Sequence, residues 1–114
     1  MLPEIRLYLS EVVGAASEVV EYTSGQTFVS YMADGMRRRS VERCLEIVGE
    51  GLIRIRRIDE EFVQQLPDAG KIIGLRNILA HEYGVVDHEI LWKAVREQLP
   101  DFLNAVQAEL DRIG

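Results

Sequence analysis

Four residues in the stretch RNILAHEY, positions 76–83, have side chains suited to phosphate and acid–base chemistry: Arg76, Asn77, His81 and Tyr83. An imidazole, with an ordinary pKa of about 6.5, can accept or donate a proton at neutral pH. A guanidinium can stabilise the charge on phosphate oxygens while keeping its own proton. Together these groups suit a nuclease, an enzyme that cleaves phosphodiester bonds.

The spacing within this stretch limits what one helix can do alone. Arg76 and His81 are five residues apart, which separates them on a straight helix by about 140° and about 7.5 Å along the axis. One phosphate can therefore meet both groups only if the long arginine bends towards it or a second chain supplies one group. Arg76 and Tyr83 are seven residues apart and nearly aligned.

Each of these residues also has an ordinary structural interpretation. His81 alone is typical of a hydrogen-bonded surface histidine, and Tyr83 of a half-buried aromatic with a solvated hydroxyl. Arg76 alone could pair with Glu82 or Asp87. The rest of the sequence has to distinguish the catalytic interpretation of these residues from the structural one.

Three other residues in or near the stretch have ordinary interpretations. Glu82 could be a second acid–base group, but the favoured interpretation is a solvated carboxylate at a helix end. His88 is interpreted as a surface residue in the first turn of a helix. Trp92 is expected in the core or at a dimer interface. His81 and His88 are seven apart without a thiolate or an HxxxH pattern, so no metal site and no cofactor are expected.

Composition favours one globular domain spanning residues 1–114, with 47% hydrophobic residues. No apolar run is long enough for a membrane span, and the N-terminus does not resemble a signal peptide. Cys44 is the single cysteine, which excludes a disulfide framework. A cytoplasmic protein is the expectation.

The net charge of −6 argues against binding nucleic acid by bulk electrostatics. The charge is unevenly distributed, because residues 37–57 hold seven arginines against three glutamates. This segment could be a solvated helix with ion pairs or a basic patch beside a cleft. The pairs expected for the first alternative are Arg39 with Glu42, and Arg43 with Glu46 or Glu50.

Apolar residues recur at helical spacing along nearly the whole chain. The pattern predicts an all-α fold, an up-down bundle of four main helices plus a short additional helix. Helices are predicted at 3–22, from a Thr27 cap to 33, at 36–59, 71–83, 88–98 after an Asp87 cap, and around 102–110. Residues 60–70 are predicted to fray into a loop. Gly49 and Gly51 each cost about 1 kcal/mol within helix 36–59, which close packing against a neighbouring helix would explain.

Helix 71–83 should direct one face into the core and another to solvent. The predicted core face is Ile72, Leu75 and Leu79. Asn77 and His81 lie four apart on a different face. Gly84 is predicted to end the helix in a left-handed conformation.

The sequence resembles the HEPN family, and more closely its HepT branch. The pattern of that branch is an arginine, a polar residue, three further residues, a histidine and, two positions on, a tyrosine. RNILAHEY fits it in full. The segments EIVGEG at 46–51, KIIGLRNILAHEYGVVD at 71–87 and ILWKAVREQLPDFL at 90–103 extend the resemblance over essentially the whole chain.

The resemblance implies a small helical bundle that forms a homodimer, with a shared, metal-independent ribonuclease cleft where the motif helices meet. Arg76 and His81 would be catalytic, with Asn77 supporting them. The partners implied are an RNA substrate, for which tRNA is the suggested class, and a cognate minimal nucleotidyltransferase (MNT) antitoxin. That enzyme would transfer AMP to Tyr83, the modification site.

The leading hypothesis is therefore an endoribonuclease toxin of a type II or type VII-like toxin–antitoxin pair. The alternative is a non-catalytic nucleotide-binding or regulatory subunit of a nucleotidyltransferase complex, which the negative charge favours. A third reading is an oligomerisation bundle without a site, in which Arg76, His81 and Tyr83 would all tolerate substitution.

Overall fold

The computed structural model describes residues 2–113, which form α-helices joined by short loops. The elements in chain order are α1 Pro3–Thr23, α2 Phe28–Ala33, α3 Gly35–Ile58, α4 Glu60–Gln64, α5 Ala69–His81, a 3₁₀ turn Tyr83–Val85, α6 His88–Glu97 and α7 Leu99–Ile113. The predicted all-α bundle is confirmed. None of the helices within residues 2–113 has the length and apolar character needed to cross a membrane.

Short polar residues cap four of the helices in residues 2–113, and two of these caps, Thr27 and Asp87, were predicted. Thr27 and Ser30 form a reciprocal capping box at α2, with distances of 3.1 and 2.9 Å. The Asp87 carboxylate accepts hydrogen bonds from the first-turn amides of α6. Asp34 caps α3 by accepting a hydrogen bond from the Arg37 amide at 3.0 Å.

Helix α3 is the centre of the bundle, packed between α1 and α5. Helix α7 packs against α1, and α6 packs against α7. The apolar residues that recur at helical spacing along α3 are buried over most of the helix: Val41, Cys44, Leu45, Val48, Leu52 and Ile55. This burial orients α3, so that the residues beside this apolar stripe face α1 and α5.

Gly49 and Gly51 of α3 lie where neighbouring helices pack closely against it. A Cβ atom on Gly51 would lie 2.5 Å from Val12 Cγ2 on α1. A Cβ atom on Gly49 would lie 2.6 Å from Arg76 Cγ on α5, and closer still to Arg76 Cβ. The close packing predicted from these glycines is confirmed, and one of the two contacts is with the motif arginine.

The motif helix differs from its prediction at both ends. It begins at Ala69 and ends at His81, two residues early at each end. Glu82, with φ −137° and ψ 41°, breaks the helix, and Tyr83 begins the 3₁₀ turn. The prediction that Gly84 is left-handed is wrong, since Gly25 is the one glycine with positive φ in residues 2–113. The chain turns back towards α3 here, and the Tyr83 hydroxyl donates a hydrogen bond to Glu42 of α3.

Two smaller differences have local causes. Residues 60–64 form the separate helix α4, because the Asp59 side chain accepts a hydrogen bond from the Phe62 amide at 3.1 Å and caps it. Helix α7 begins at Leu99 rather than near Phe102. Pro100 lies in the first turn of α7. The backbone N–H groups of a first turn have no acceptor within the helix, so the N–H that proline lacks costs no helical hydrogen bond.

Candidate functional site

Arg76 is held against α3 by its aliphatic stem. The stem lies over the backbone of Gly49, and only 21% of the side chain is exposed. Its Nη1 donates to Asn77 Oδ1 at 3.0 Å, and its Nη2 lies 4.0 Å from Glu50 Oε1, too far for a hydrogen bond. Nε is buried and has no hydrogen-bond partner among residues 2–113. The guanidinium is thus fixed in place while keeping donors for an anion.

The cavity beside Arg76 is lined by more positive than negative groups. Its volume is about 320 Å³, and its lining residues are Glu50, Ile53, Arg54, Arg57 and Arg76. Three guanidinium groups thus face one carboxylate. Arg54 also lies over the Tyr8 ring, 5.8 Å from its centroid. The basic patch that the arginines of residues 37–57 suggested is present here, next to the motif arginine.

His81 is the last residue of α5 and is exposed, as is Asn77 one turn earlier. Arg76 instead points towards α3. No hydrogen bond joins Arg76 and His81 within the described chain. The structure therefore brings together Arg76 and Asn77, and it leaves His81 apart from Arg76 at the end of the helix, as the helical arithmetic predicted.

Tyr83 has an exposed ring and an anchored hydroxyl. The side chain is 49% exposed, and its Oη donates to both oxygens of Glu42, at 3.0 and 3.1 Å. Glu42 lies on α3 and is only 5% exposed. The Nδ1 atom of His88, at the start of α6, is 3.7 Å from Glu42 Oε2.

Two contacts between α3 and the motif segment share one register. Arg76 lies against Gly49, and Tyr83 hydrogen-bonds to Glu42. A step of seven residues forward along the motif segment therefore corresponds to a step of seven residues backward along α3. This is the register of antiparallel neighbours. Arg76 and Tyr83 thus both contact α3, but Tyr83 lies beyond the end of α5, so the alignment predicted for them on one helix does not apply.

Burial and charge change the acidity of the Tyr83 hydroxyl. Its pKa is raised above the ordinary value, first by burial and then by the Glu42 carboxylate that accepts its hydrogen bond, while the Arg38 guanidinium acts in the opposite direction. The pKa of the neighbouring Tyr31 is also raised, mainly by burial. Tyr83 therefore keeps its proton at neutral pH.

Glu42 is the residue that sequence reasoning assigned wrongly. Its predicted ion pair with Arg39 is absent from residues 2–113, because Arg39 Nη1 instead donates to the Gly35 carbonyl at 3.3 Å. The pairing of Arg43 is confirmed, at 3.5 Å from both Glu46 and Glu50. A signal did exist in the sequence, because Glu42 is seven residues before Gly49 and so shares its face of α3.

His88 and Trp92 lie in α6 on the side that faces the bundle. His88 was predicted at the surface, and this is wrong: its side chain is 24% exposed, with Nδ1 buried beside Glu42. Trp92 is partly buried, with its ring centroid 4.8 Å from that of Tyr31. Glu82 is exposed at the end of α5, in agreement with its prediction.

Comparison with known proteins places this chain in a family. A family model described as ribonuclease HepT-like matches residues 13–109, which include the whole motif and Glu42. The chain belongs to the HepT-like ribonuclease family. The resemblance on which the sequence prediction rested is confirmed. Among residues 2–113, no three His, Cys, Asp or Glu side chains converge as a metal site would require.

Curated relatives of this HepT-like chain extend over nearly its full length. A predicted RNase of Methanocaldococcus jannaschii is 32% identical over 106 residues, covering 91% of this chain and 94% of its own. A predicted ribonuclease HepT of Thermococcus cleftensis is 30% identical over 95 residues, covering 82% and 84%. A predicted RNase of Caldanaerobacter subterraneus is 27% identical over 107 residues, covering 94% and 95%. No solved structure matches the chain significantly.

Proposed function

We propose that this HepT-like chain is a metal-independent endoribonuclease that acts as the toxin of a toxin–antitoxin pair. The observation that carries the proposal is the placement of Arg76. Its stem is fixed on Gly49, and its guanidinium lines the arginine-rich cavity in a chain that belongs to a ribonuclease family. Such a guanidinium is already oriented for the charge that develops on a phosphate.

The chemistry follows from the motif residues. His81 accepts the proton of the ribose 2′-hydroxyl or donates a proton to the departing 5′-oxygen, from an exposed helix end that RNA can reach. Arg76 stabilises the negative charge on the phosphorane oxygens, and Asn77 holds the guanidinium through its 3.0 Å hydrogen bond. The product is a 2′,3′-cyclic phosphate, and tRNA is the substrate class that we propose.

Arg54 and Arg57 offer a reason why a chain of net charge −6 binds RNA. Both line the cavity that Arg76 enters, so positive charge is concentrated where the reacting phosphate would lie. Local clusters of guanidinium groups neutralise phosphates regardless of the charge elsewhere when salt screens distant charges. We assign these two arginines to the backbone phosphates beside the cleaved bond.

Two chains would complete the cleft. Arg76 points towards α3 while His81 points to solvent, so a homodimer would supply the missing partner group to each half. Exposed apolar residues support an interface at this end of the molecule, since Val85 is 70% exposed and Ile90 is 62% exposed. Both residues lie close in sequence to the motif.

A mixing experiment tests the shared cleft. The variants Arg76→Ala and His81→Ala are each expected to be folded and inactive against RNA. If each site takes its arginine from one chain and its histidine from the other, mixed dimers contain one intact site. Half of a random mixture is mixed dimer, so roughly a quarter of wild-type activity should return. No recovery after subunit exchange would contradict a site shared in this way.

The proposed regulation acts at Tyr83. An MNT antitoxin would transfer AMP to the hydroxyl, adding a negative phosphate and an adenosine two residues from His81. The phosphate would compete with RNA for Arg76, and the adenosine would obstruct the cleft. The half-exposed ring places Tyr83 within reach of a second protein.

The test of this regulation uses Tyr83→Phe, which should cleave RNA in the presence of the nucleotidyltransferase and ATP while the wild type is silenced. Full silencing of Tyr83→Phe would place inhibition elsewhere. Micromolar nucleotide binding by an unmodified wild type that cleaves no RNA would instead support the regulatory-subunit alternative.

A further inference from the structure

Glu42 is a buried carboxylate to which the proposed cleavage of RNA gives no role. Glu42 and Thr23 are the two polar or charged residues that are buried within residues 2–113. Thr23 satisfies its hydroxyl inside its own helix, by donating to the Val19 carbonyl at 2.8 Å. An ionised carboxylate has no proton to donate to a carbonyl of its own helix. It is unfavourable in a protein interior unless other groups donate hydrogen bonds or positive charge to it.

The groups around Glu42 come from four elements. Tyr83 of the 3₁₀ turn donates its hydroxyl to both carboxylate oxygens. His88 of α6 lies at 3.7 Å, and its Nδ1 is buried without a hydrogen bond within residues 2–113. Arg38 of α3 and Tyr31 of α2 influence the same cluster by charge and burial. Tyr83 is the exposed member of this cluster, so its hydrogen bonds connect the buried Glu42 carboxylate to a group at the protein surface.

We propose that Glu42 is the general base for nucleotidyl transfer to Tyr83, an inference that rests on the proposed modification of that tyrosine. The Tyr83 Oη attacks the α-phosphorus of a nucleoside triphosphate, and a new O–P bond forms. The bond from the α-phosphorus to the bridging oxygen breaks, and pyrophosphate leaves with the bonding electron pair. The phenolic proton passes to Glu42 along the hydrogen bond that already joins them.

The geometry meets the first requirement of a general base, which is contact with the proton that it removes. Both Tyr83–Glu42 distances lie within hydrogen-bond range, at 3.0 and 3.1 Å. A neutral phenol is a weak nucleophile, and the raised pKa of Tyr83 keeps the phenolate scarce at neutral pH. The hydroxyl therefore gains most from a base that takes the proton as the new bond forms.

The experiment measures the rate of AMP transfer to the full-length chain by an MNT nucleotidyltransferase with ATP, followed by intact mass. Glu42→Gln keeps the size of the side chain and an acceptor oxygen but takes up no proton. Its transfer rate should fall by about 10²- to 10⁴-fold at neutral pH, the usual contribution of general-base catalysis. It should then rise with pH as phenolate forms, while cleavage of RNA by the unmodified variant is unchanged.

Glu46→Gln is the matched control, because it makes the same substitution one turn further along α3, where the carboxylate faces Arg43. Its transfer rate should equal that of the wild type. A purely structural role for Glu42 would lower the rate without changing its pH dependence. Equal rates and equal pH profiles for Glu42→Gln and wild type would overturn the inference.

A measurement on the wild type covers the case in which Glu42→Gln fails to fold. With a protein base, the wild-type transfer rate should change little between pH 7 and pH 9. A rise of about tenfold per pH unit over that interval would indicate a phenolate formed without a base, and it would overturn the role of Glu42. If the wild type accepts no AMP at all while it cleaves RNA, the proposed modification fails and this inference fails with it, whereas the ribonuclease proposal stands.

Discussion

Replacing Gly49 by alanine perturbs the contact that fixes the motif arginine. The added Cβ would lie 2.6 Å from Arg76 Cγ, at least 0.8 Å inside the 3.4 Å of ordinary contact. The atoms it meets are at the root of the arginine, so rotating the guanidinium does not relieve the overlap. Helices α3 and α5 have to separate, or the arginine stem has to move.

The expected cost combines two opposing effects. Overpacking in a core lowers the free energy of unfolding by about 1–3 kcal/mol, and replacing glycine by alanine within a helix raises it by about 1 kcal/mol. We expect Gly49→Ala to lose up to about 2 kcal/mol, or up to about 8 °C in Tm for a domain of this size. Displacing a catalytic group by about 1 Å costs on the order of 100-fold in rate, so RNA cleavage should fall by that factor.

Gly51→Ala separates the two effects. Its Cβ would lie 2.5 Å from Val12 Cγ2, on the opposite neighbour α1 and away from Arg76. We expect a similar loss of Tm with near wild-type cleavage per folded molecule. Thermal melts and single-turnover cleavage below both melting temperatures check this. Wild-type stability and activity in Gly49→Ala, or an equal loss of rate in Gly51→Ala, would refute the reasoning.

Three further predictions concern single side chains. Tyr83→Phe should remain folded but lose about 1–3 kcal/mol in a denaturant melt, because Glu42 loses its hydrogen-bond donor; an unchanged melt would contradict the role of that bond. Arg57→Gln should weaken RNA binding and reduce the slope of log Kd against log salt by about 1. Arg112→Gln, outside the arginine-rich cavity, is the control, and an unchanged slope in Arg57→Gln would place the phosphate elsewhere. Burial, and then the hydrogen bond to Glu18, raise the pKa of the Cys44 thiol from 9.0 to about 11. Because the thiolate is the reactive form, native Cys44 at pH 8 should react with a disulfide reagent about 100-fold more slowly than the thiol of the unfolded chain. The same raised pKa gives a stabilisation that is fully present below pH 9 and is lost as the pH rises through about 11; rapid native labelling at pH 8 would contradict both statements.

The elements that apolar periodicity and caps define could be predicted from sequence. The stripe of α3 and the caps at Thr27 and Asp87 lie where the pattern indicated. These features depend on neighbours within one or two turns, which a sequence displays directly. The close approach at Gly49 was also predictable, because an unfavourable glycine in a helix needs a compensating contact.

The features that sequence reasoning missed depend on contacts between distant elements. The end of α5 follows from the Tyr83–Glu42 bond, which spans 41 positions in the chain. Glu42 has the same local pattern as a solvated helical glutamate, and His88 the pattern of a surface first-turn residue. Only the register of α3 against the motif segment distinguishes them, and that register is a tertiary property.

Cleavage of RNA in the absence of divalent metal tests the central proposal most directly. Wild-type protein, shown by intact mass to carry no AMP, would be incubated with total cellular RNA in EDTA beside His81→Ala and the control Arg112→Ala. The account predicts fragments with 2′,3′-cyclic phosphate ends from the wild type and the control, and none from His81→Ala. Intact RNA with the unmodified wild type, or equal cleavage by His81→Ala, would contradict it.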